Sequence, residues 1–185
     1  MSLVLYKMLA SVCFMCGDTI TLSSCLDAIM THAKLFEDSL SSSGLLSKLL
    51  AASSKYSEAI GNCLSVLSVL GEDFPENIET STVETELVKM KTNLEEINSV
   101  EKVKLFPLMA NKSKLNCMQF LSMMSIYCVI SKPMLLPLVS ARMVSITNSH
   151  GFCDDSIVGI VTCGWSLVSL FIFRQCSEIF LMWPL

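Results

Sequence analysis

Turn-forming residues are scarce in this chain, with 7 glycines and 5 prolines among 185 residues. A β-sandwich needs a turn signal about every 8–12 residues, so an all-β chain of that kind is excluded. Charge is thin too: 16% of residues carry one, where about a quarter is usual in a soluble domain. Disorder is excluded by a hydrophobic content of 52% and a mean hydropathy of +0.58. A net charge of −4 and a pI near 5.2 argue against a general nucleic-acid binder. Histidine occurs twice. The phosphate-cradling, dinucleotide and nucleophile-elbow glycine motifs do not occur. With no nucleophile–base pair in view, the expectation is a protein that is not an enzyme and has no catalytic, cofactor-binding or metal residues. Composition leaves a packed helical protein or a membrane protein.

What charge there is lies unevenly. Residues 1–100 hold 6 basic against 13 acidic side chains, and residues 101–185 hold 7 against 4. Eight carboxylates fall between Glu72 and Glu96, relieved only by Lys89 and Lys91. Such a run usually marks a solvated face, and a recognition surface is the sharper alternative. The nine cysteines are odd in number and scattered, which is no disulfide framework, and most sit in apolar stretches where a thiol acts as a small hydrophobe. Cys13-Phe14-Met15-Cys16 has neither a second ligand pair nor a preceding strand, so it reads as core packing. The segment before Gly17 lacks a charged leader and a small-x-small cleavage site. A reducing, cytoplasmic setting follows as the expectation. The sequon Asn111-Lys112-Ser113 would go unused there.

Periodicity predicts helices nearly throughout. A first runs from about Leu3 to Met15 and stops at Gly17. Asp18 or Thr19 caps a second, with Leu22, Leu26, Ile29, Met30 and Ala33 on its apolar face. Ser39 and Ser41-Ser42-Ser43-Gly44 weaken the signal, as either a loop or a frayed helix start. Leu45–Ala52 is a short apolar stretch. A further helix carries Tyr56, Ala59, Ile60, Cys63, Val66, Leu67 and Leu70, and ends at Gly71 with Pro75 beyond. Val83, Leu87, Met90, Leu94 and Ile97 mark an amphipathic helix with its acids outward. After a break at Leu105-Phe106-Pro107, Lys114 to about Ile130 is helical. Pro133 or Pro137 opens the next helix, which His150-Gly151 closes. Asp154 or Asp155 caps the last, from Ser156 towards Phe173. The fold class is therefore all-α, with eight or nine helices. An offset of 37 residues between Leu22 and Ala59 lies near the roughly 34-residue period of tetratricopeptide helix pairs.

Ser156–Phe173 contains no charged residue. At 1.5 Å per residue it spans about 27 Å, close to a bilayer core. Leu115–Ser131 is a lesser candidate. On a wheel, Ser156, Gly159, Thr162, Cys163, Ser166 and Ser169 share one side of the last helix. Ile157, Ile160, Val161, Trp165, Leu167, Val168 and Phe171 share the other. Small residues allow close helix packing either in a soluble stack or in a bilayer, so the wheel leaves both open.

Read in order, these segments resemble a family of large multidomain signalling proteins. In that family an AAA-type "predicted ATPase" module, often fused to a protein-kinase-like or histidine-kinase domain, precedes a long tetratricopeptide-like helical region. The resemblance covers about Leu5 to Val168. It rests on the turn Gly17-Asp18, on Tyr56–Ile60, on Leu67 through Pro75 and on Leu105-Phe106-Pro107-Leu108-Met109. The most specific segment is Pro133–Gly151, with Leu138-Val139, Arg142-Met143-Val144, Thr147 and His150-Gly151; Cys153–Ser156 then leads into the next helix. The family's ATPase and kinase segments have no counterpart here.

The resemblance implies a tetratricopeptide-like α-solenoid, a fragment or truncated paralogue, that binds or scaffolds a protein partner or missing repeats of its own family. Its organisation would be two degenerate helix pairs over 1–75, an acidic amphipathic helix and connection over 76–110, three apolar helices over 111–173 and an unmatched tail over 174–185. Arg142 and His150 are its family-motif residues; Glu84, Glu86 and Trp165 are candidate contacts on the acidic helix and the last apolar face. A histidine at a helix C-terminus has a plainer role as well, capping carbonyls and favouring the dipole. The alternative is a small membrane protein anchored by Ser156–Phe173 with a helical cytoplasmic domain.

Overall fold

The computed structural model describes residues 2–33, 35–75, 77–96 and 107–181, the side chains at 80, 93–96 and 170–181 excepted. The described residues form eight α-helices and a 3-10 turn, with one isolated bridge and no strand. The helices are α1 (Leu3–Cys16), α2 (Thr19–His32), α3 (Phe36–Ala52), α4 (Tyr56–Val69), α5 (Thr80–Glu96), α6 (Lys112–Ser131), α7 (Leu136–His150) and α8 (Ser156–Leu181). They fall into two compact units, Met1–Phe74 and Pro75–Leu185. The expectations placed on Leu94, Ile97, Leu105-Phe106 and Phe171 to Phe173 concern side chains outside the described residues.

In the first unit α1 pairs with α2, α3 pairs with α4, and α3 also touches α1 and α2. Gly17 ends α1 at φ +76°, and the Asp18 amide donates back to the Cys13 carbonyl at 3.0 Å. A left-handed residue is what this close of a helix demands, and glycine takes it without a Cβ clash. Asp18 then caps α2 by accepting from the Thr21 amide at 3.1 Å, and hydrogen bonds from the Thr21 side chain first and its amide second hold the carboxyl below the usual range. Leu22, Cys25, Leu26 and Ile29 of α2 close on Ala10 and Cys13 of α1. Met30, expected on that apolar face, is exposed instead. It lies one residue beyond the arc that α1 and α3 cover.

The serine cluster is neither loop nor frayed start. It lies inside α3, and Ser42, Ser43 and Ser47 are buried. The Asn62 amide on α4 donates to the Ser43 carbonyl at 2.9 Å and to Ser47 Oγ at 2.8 Å, and Ser47 Oγ sits 3.4 Å from Cys63 Sγ. These short side chains let α3 and α4 approach, and Asn62 satisfies the Ser43 carbonyl and the Ser47 hydroxyl, while the buried Ser42 hydroxyl has no partner.

The second unit is built round α7, which touches α5, α6 and α8. Leu136–Ala141, Met143, Val144, Ile146 and Thr147 of α7 are all buried. A helix buried around most of its circumference must be central. Pro133 opens the 3-10 turn before it, Leu135 of that turn is buried, and Pro137 lies in the first turn of α7, where a missing N–H costs nothing. Val83, Leu87 and Met90 are the buried stripe of α5, and Ser140 Oγ lies 3.8 Å from Met90 Sδ. α6 supplies Cys117, Met118, Phe120, Leu121, Met124, Tyr127 and Cys128.

Against α7 lies α8, which continues past the expected end at Phe173 to Leu181. Their contact is tight. A Cβ added at Gly159 would meet the Met143 Cβ at 2.6 Å, whereas one added at Gly164 would meet nothing within 4 Å. Gly159→Ala therefore forces the two backbones apart and should cost about 1–3 kcal/mol. Gly164→Ala should be neutral, or stabilise by up to about 1 kcal/mol through helix propensity. Chemical denaturation of the two variants beside the parent checks both signs; equal midpoints would contradict the close crossing.

Candidate functional site

The α7–α8 seam sets what α8 shows to the outside. Ser156, Gly159, Cys163 and Ser166 are buried, and Thr162 is half-buried beside them. The hydroxyls that go inside are satisfied by their own helix: Thr162 donates to the Val158 carbonyl at 2.8 Å and Ser166 to the Thr162 carbonyl at 2.8 Å. At the start of the helix the Cys153 amide donates to Ser156 Oγ at 3.1 Å, and Thr147 Oγ1 of α7 lies 2.9 Å from the same oxygen. With the small residues inside, the large ones are left outside. Ile157, Val161, Trp165 and Val168, spaced 4, 4 and 3 residues apart, are between 57% and 63% exposed. Four large apolar side chains in one stripe form a contiguous patch, the usual mark of an interaction site.

The other residues singled out in the sequence stand on the same unit. Glu84 is exposed on α5. Glu86, half-buried, accepts from Lys89 Nζ at 2.8 Å one turn on. That is an ion pair along the surface of a helix, of the kind worth a few tenths of a kcal/mol. Arg142 is half-buried on α7 and His150 is exposed at its C-terminal end. Glu84 and Glu86 on α5, Arg142 and His150 on α7, and Trp165 on α8 thus occupy three helices of one bundle. Of these five, only Trp165 belongs to the exposed apolar stripe.

His150-Gly151 has a structural partner that sequence order alone did not reveal. Gly151 stands at φ +99°, its amide donates to the Thr147 carbonyl at 2.9 Å, and it is buried. Past it, the Phe152 amide donates to the Pro107 carbonyl and the Met109 amide to the Phe152 carbonyl, both at 2.8 Å. An added Cβ at Gly151 would collide with the carbonyl oxygen of Pro107. Pro107-Leu108-Met109 and His150-Gly151, read separately in the sequence, are therefore two sides of one backbone clasp. Asn111 also has a structural role: its side chain caps α6 by accepting from the Lys114 amide at 3.2 Å.

Among the described residues, no three His, Cys, Asp or Glu side chains converge as a metal site. Cys13 is buried and Cys16 exposed at the two ends of the C-x-x-C. Burial pushes the Cys163 thiol up to about 12. It also pushes the Cys63 thiol up to about 11, against the opposing pull of the Ser47 hydroxyl. Among the described residues no helix is long and apolar enough to cross a membrane. The far end of the Ser156–Phe173 stretch, from 170 onward, has its side chains outside that description. Comparison with known family models, curated proteins and solved structures gives no match to this chain.

Two outcomes follow. Gly151→Ala meets both the positive φ and the Pro107 carbonyl, so it should cost at least about 2–3 kcal/mol; a melting temperature equal to the parent's would refute the clasp. The raised thiols remain protonated in the fold after those of the unfolded chain have ionised. Their stabilising effect is complete below a thiol's ordinary value of about 9.0 and is lost as pH rises towards 11–12. Denaturation midpoints should fall over that window, and replacing Cys63 and Cys163 by alanine should flatten the fall even though it lowers stability at neutral pH.

Proposed function

We propose that this chain is a non-catalytic helical binding segment whose outward face on α8 takes a protein partner. One observation carries the reading: a stripe of large apolar side chains centred on Trp165 faces outward from a helix fixed by its opposite side. Tryptophan is the residue most often found at the energetic centre of an interface, and a rigid backing removes the cost of ordering it. Pairing of α1 with α2 and of α3 with α4 supports a tetratricopeptide-like arrangement of helix pairs. The resemblance to the helical region behind signalling ATPases supports a scaffold role, with missing repeats of the same kind as one class of partner. Glu84 and Glu86 would lie at the polar rim, and Arg142 and His150 would act through the bundle rather than by contact. Nucleic acid is not the expected partner of an acidic chain, and the setting proposed is cytoplasmic.

A second reading has its own observation. Eighteen residues from Ser156 to Phe173 carry no charge, so α8 could hold the chain at a membrane instead.

Trp165→Glu separates these from a purely structural role. Because the side chain is exposed, the variant should unfold within about 0.5 kcal/mol of the parent. A photoreactive residue at Val161 should trap a protein in cells, and Trp165→Glu should abolish the trapping. Recovery of the full chain in the carbonate-resistant membrane pellet, with a 157–185 deletion in the supernatant, would favour the anchor. Loss of stability in Trp165→Glu comparable to a core substitution would place the tryptophan inside the fold and end the proposal.

A further inference from the structure

Core packing accounts for only half of Cys13-Phe14-Met15-Cys16. Cys13 is buried in the cluster that α1 and α2 form from Ala10, Leu22, Cys25, Leu26 and Ile29, and there a thiol serves as a small hydrophobe. Cys16, the last residue of α1, is not part of that cluster. Of the eight cysteines whose side chains are described, Cys16 alone is exposed. Exposure decides which thiol a dissolved oxidant meets first. Burial first, and then the Asp18 carboxylate, Cys25 and Cys16, hold the Cys13 thiol above its ordinary value. The motif thus pairs an exposed thiol with a protonated, buried one.

Their place in the helix lets the two join. One turn of α-helix separates the Cα atoms by about 5 Å, within the roughly 4.4–6.8 Å that a disulfide spans. The Cβ atoms, about 5–6 Å apart in a regular turn, must close to about 3.8 Å. In the middle of a helix that would break the hydrogen-bond ladder, but this turn is the last one. Gly17 follows at φ +76°, with no atom within 4 Å of where its Cβ would stand, and its amide is shared between the Cys13 and Phe14 carbonyls. Terminal turns fray and deform at little cost. The disulfide admitted here is strained and exposed, and such bonds are the readily reduced ones.

We propose that Cys13 and Cys16 form a reversible thiol–disulfide site oxidised by small disulfides of the glutathione class. The Cys16 thiolate attacks one sulfur of glutathione disulfide; a mixed disulfide forms, the original S–S bond breaks and one glutathione thiolate leaves. Cys13 then gives up its proton and attacks Cys16 Sγ, which breaks the mixed disulfide and releases the second glutathione. Both thiol protons end on the two glutathione molecules, so two electrons pass from the chain to one glutathione disulfide. The site belongs to the first unit and does not depend on the binding role given to α8.

The test is to equilibrate the intact chain with mixtures of reduced and oxidised glutathione, quench with acid, alkylate the remaining thiols and weigh the product. One disulfide should form, placed between Cys13 and Cys16 by tandem mass spectrometry and removed by dithiothreitol. Cys16→Ser should lose it. Cys13→Ala should stop at the mixed disulfide on Cys16, and Cys25→Ser should form the same disulfide as the parent. A parent that stays reduced, or halts at the glutathione adduct of Cys16, would overturn the proposal. So would a disulfide that includes Cys25, or one that survives in Cys16→Ser. Mapping in the parent needs no substitution, so a variant that folds poorly does not leave the question open.

Discussion

The close crossing of α7 and α8 at Gly159 is the contact on which the second unit depends. Helices normally keep their large apolar residues for the core and turn small polar ones to water. α8 does the reverse. With Met143 Cβ so near the Gly159 backbone, the buried positions along the seam are Ser156, Gly159, Cys163 and Ser166, and Ile160 and Leu167, expected on the outer side, are half-buried at its edge. Dispersion contacts between two backbones and their first side-chain atoms replace the interdigitated Leu and Ile of an ordinary core. The cost is that α8 buries little apolar area per residue on its inner side, and Ile157, Val161, Trp165 and Val168 stay outside. A helix of this kind holds its place by shape and offers hydrophobic energy to whatever meets its other face.

Burying so many hydroxyls works because a helix can satisfy them itself. Ser140 donates to the Leu136 carbonyl at 3.0 Å, as Thr162 and Ser166 do to carbonyls four residues back, and Thr147 Oγ1 lies 2.9 Å from the Met143 carbonyl. This back-bonding needs no second element, so a serine can enter a core without a partner across the interface. Where it is not used, a neighbour supplies the bond: Asn62 reaches Ser47 and the Ser43 carbonyl from α4. The same two solutions explain why hydropathy describes these helices badly. Serines at 42, 43 and 47 count as polar in any average, yet they are interior residues of α3.

The helical class and most helix ends were legible from local chemistry. Gly17, Asp18, Gly71, Pro133 and Gly151 act through φ, a cap or a missing N–H, and such signals need no knowledge of what lies across the interface. The sides of α8 were legible as two sides, because the wheel sorts them; which one faced inward was not. That choice depends on how near α7 comes, a distance that exists only once both helices are packed. Met30 failed for a related reason. Periodicity defines a stripe but not its width, and α1 and α3 cover α2 only as far as Ile29. The clasp between Pro107 and Gly151 was invisible because 44 positions separate its two sides.

The glycine at 151 shows why a motif in one sequence can mislead about chemistry. His150-Gly151 invites a functional reading because histidine titrates and binds metals. Here the residue that the backbone demands is the glycine. Gly151 holds a positive φ under the Pro107 carbonyl, in a space no Cβ can share. His150, exposed at the end of α7, sits where a cation favours the helix dipole. A constraint of sterics thus fixes the second residue, and the first is carried beside it by the turn. The α8 stripe has the opposite logic: Trp165 is 63% exposed, so most of its large aromatic side chain lies outside the described fold. A residue whose bulk the fold leaves outside, on a face the fold holds still, is where a partner's demands would be written.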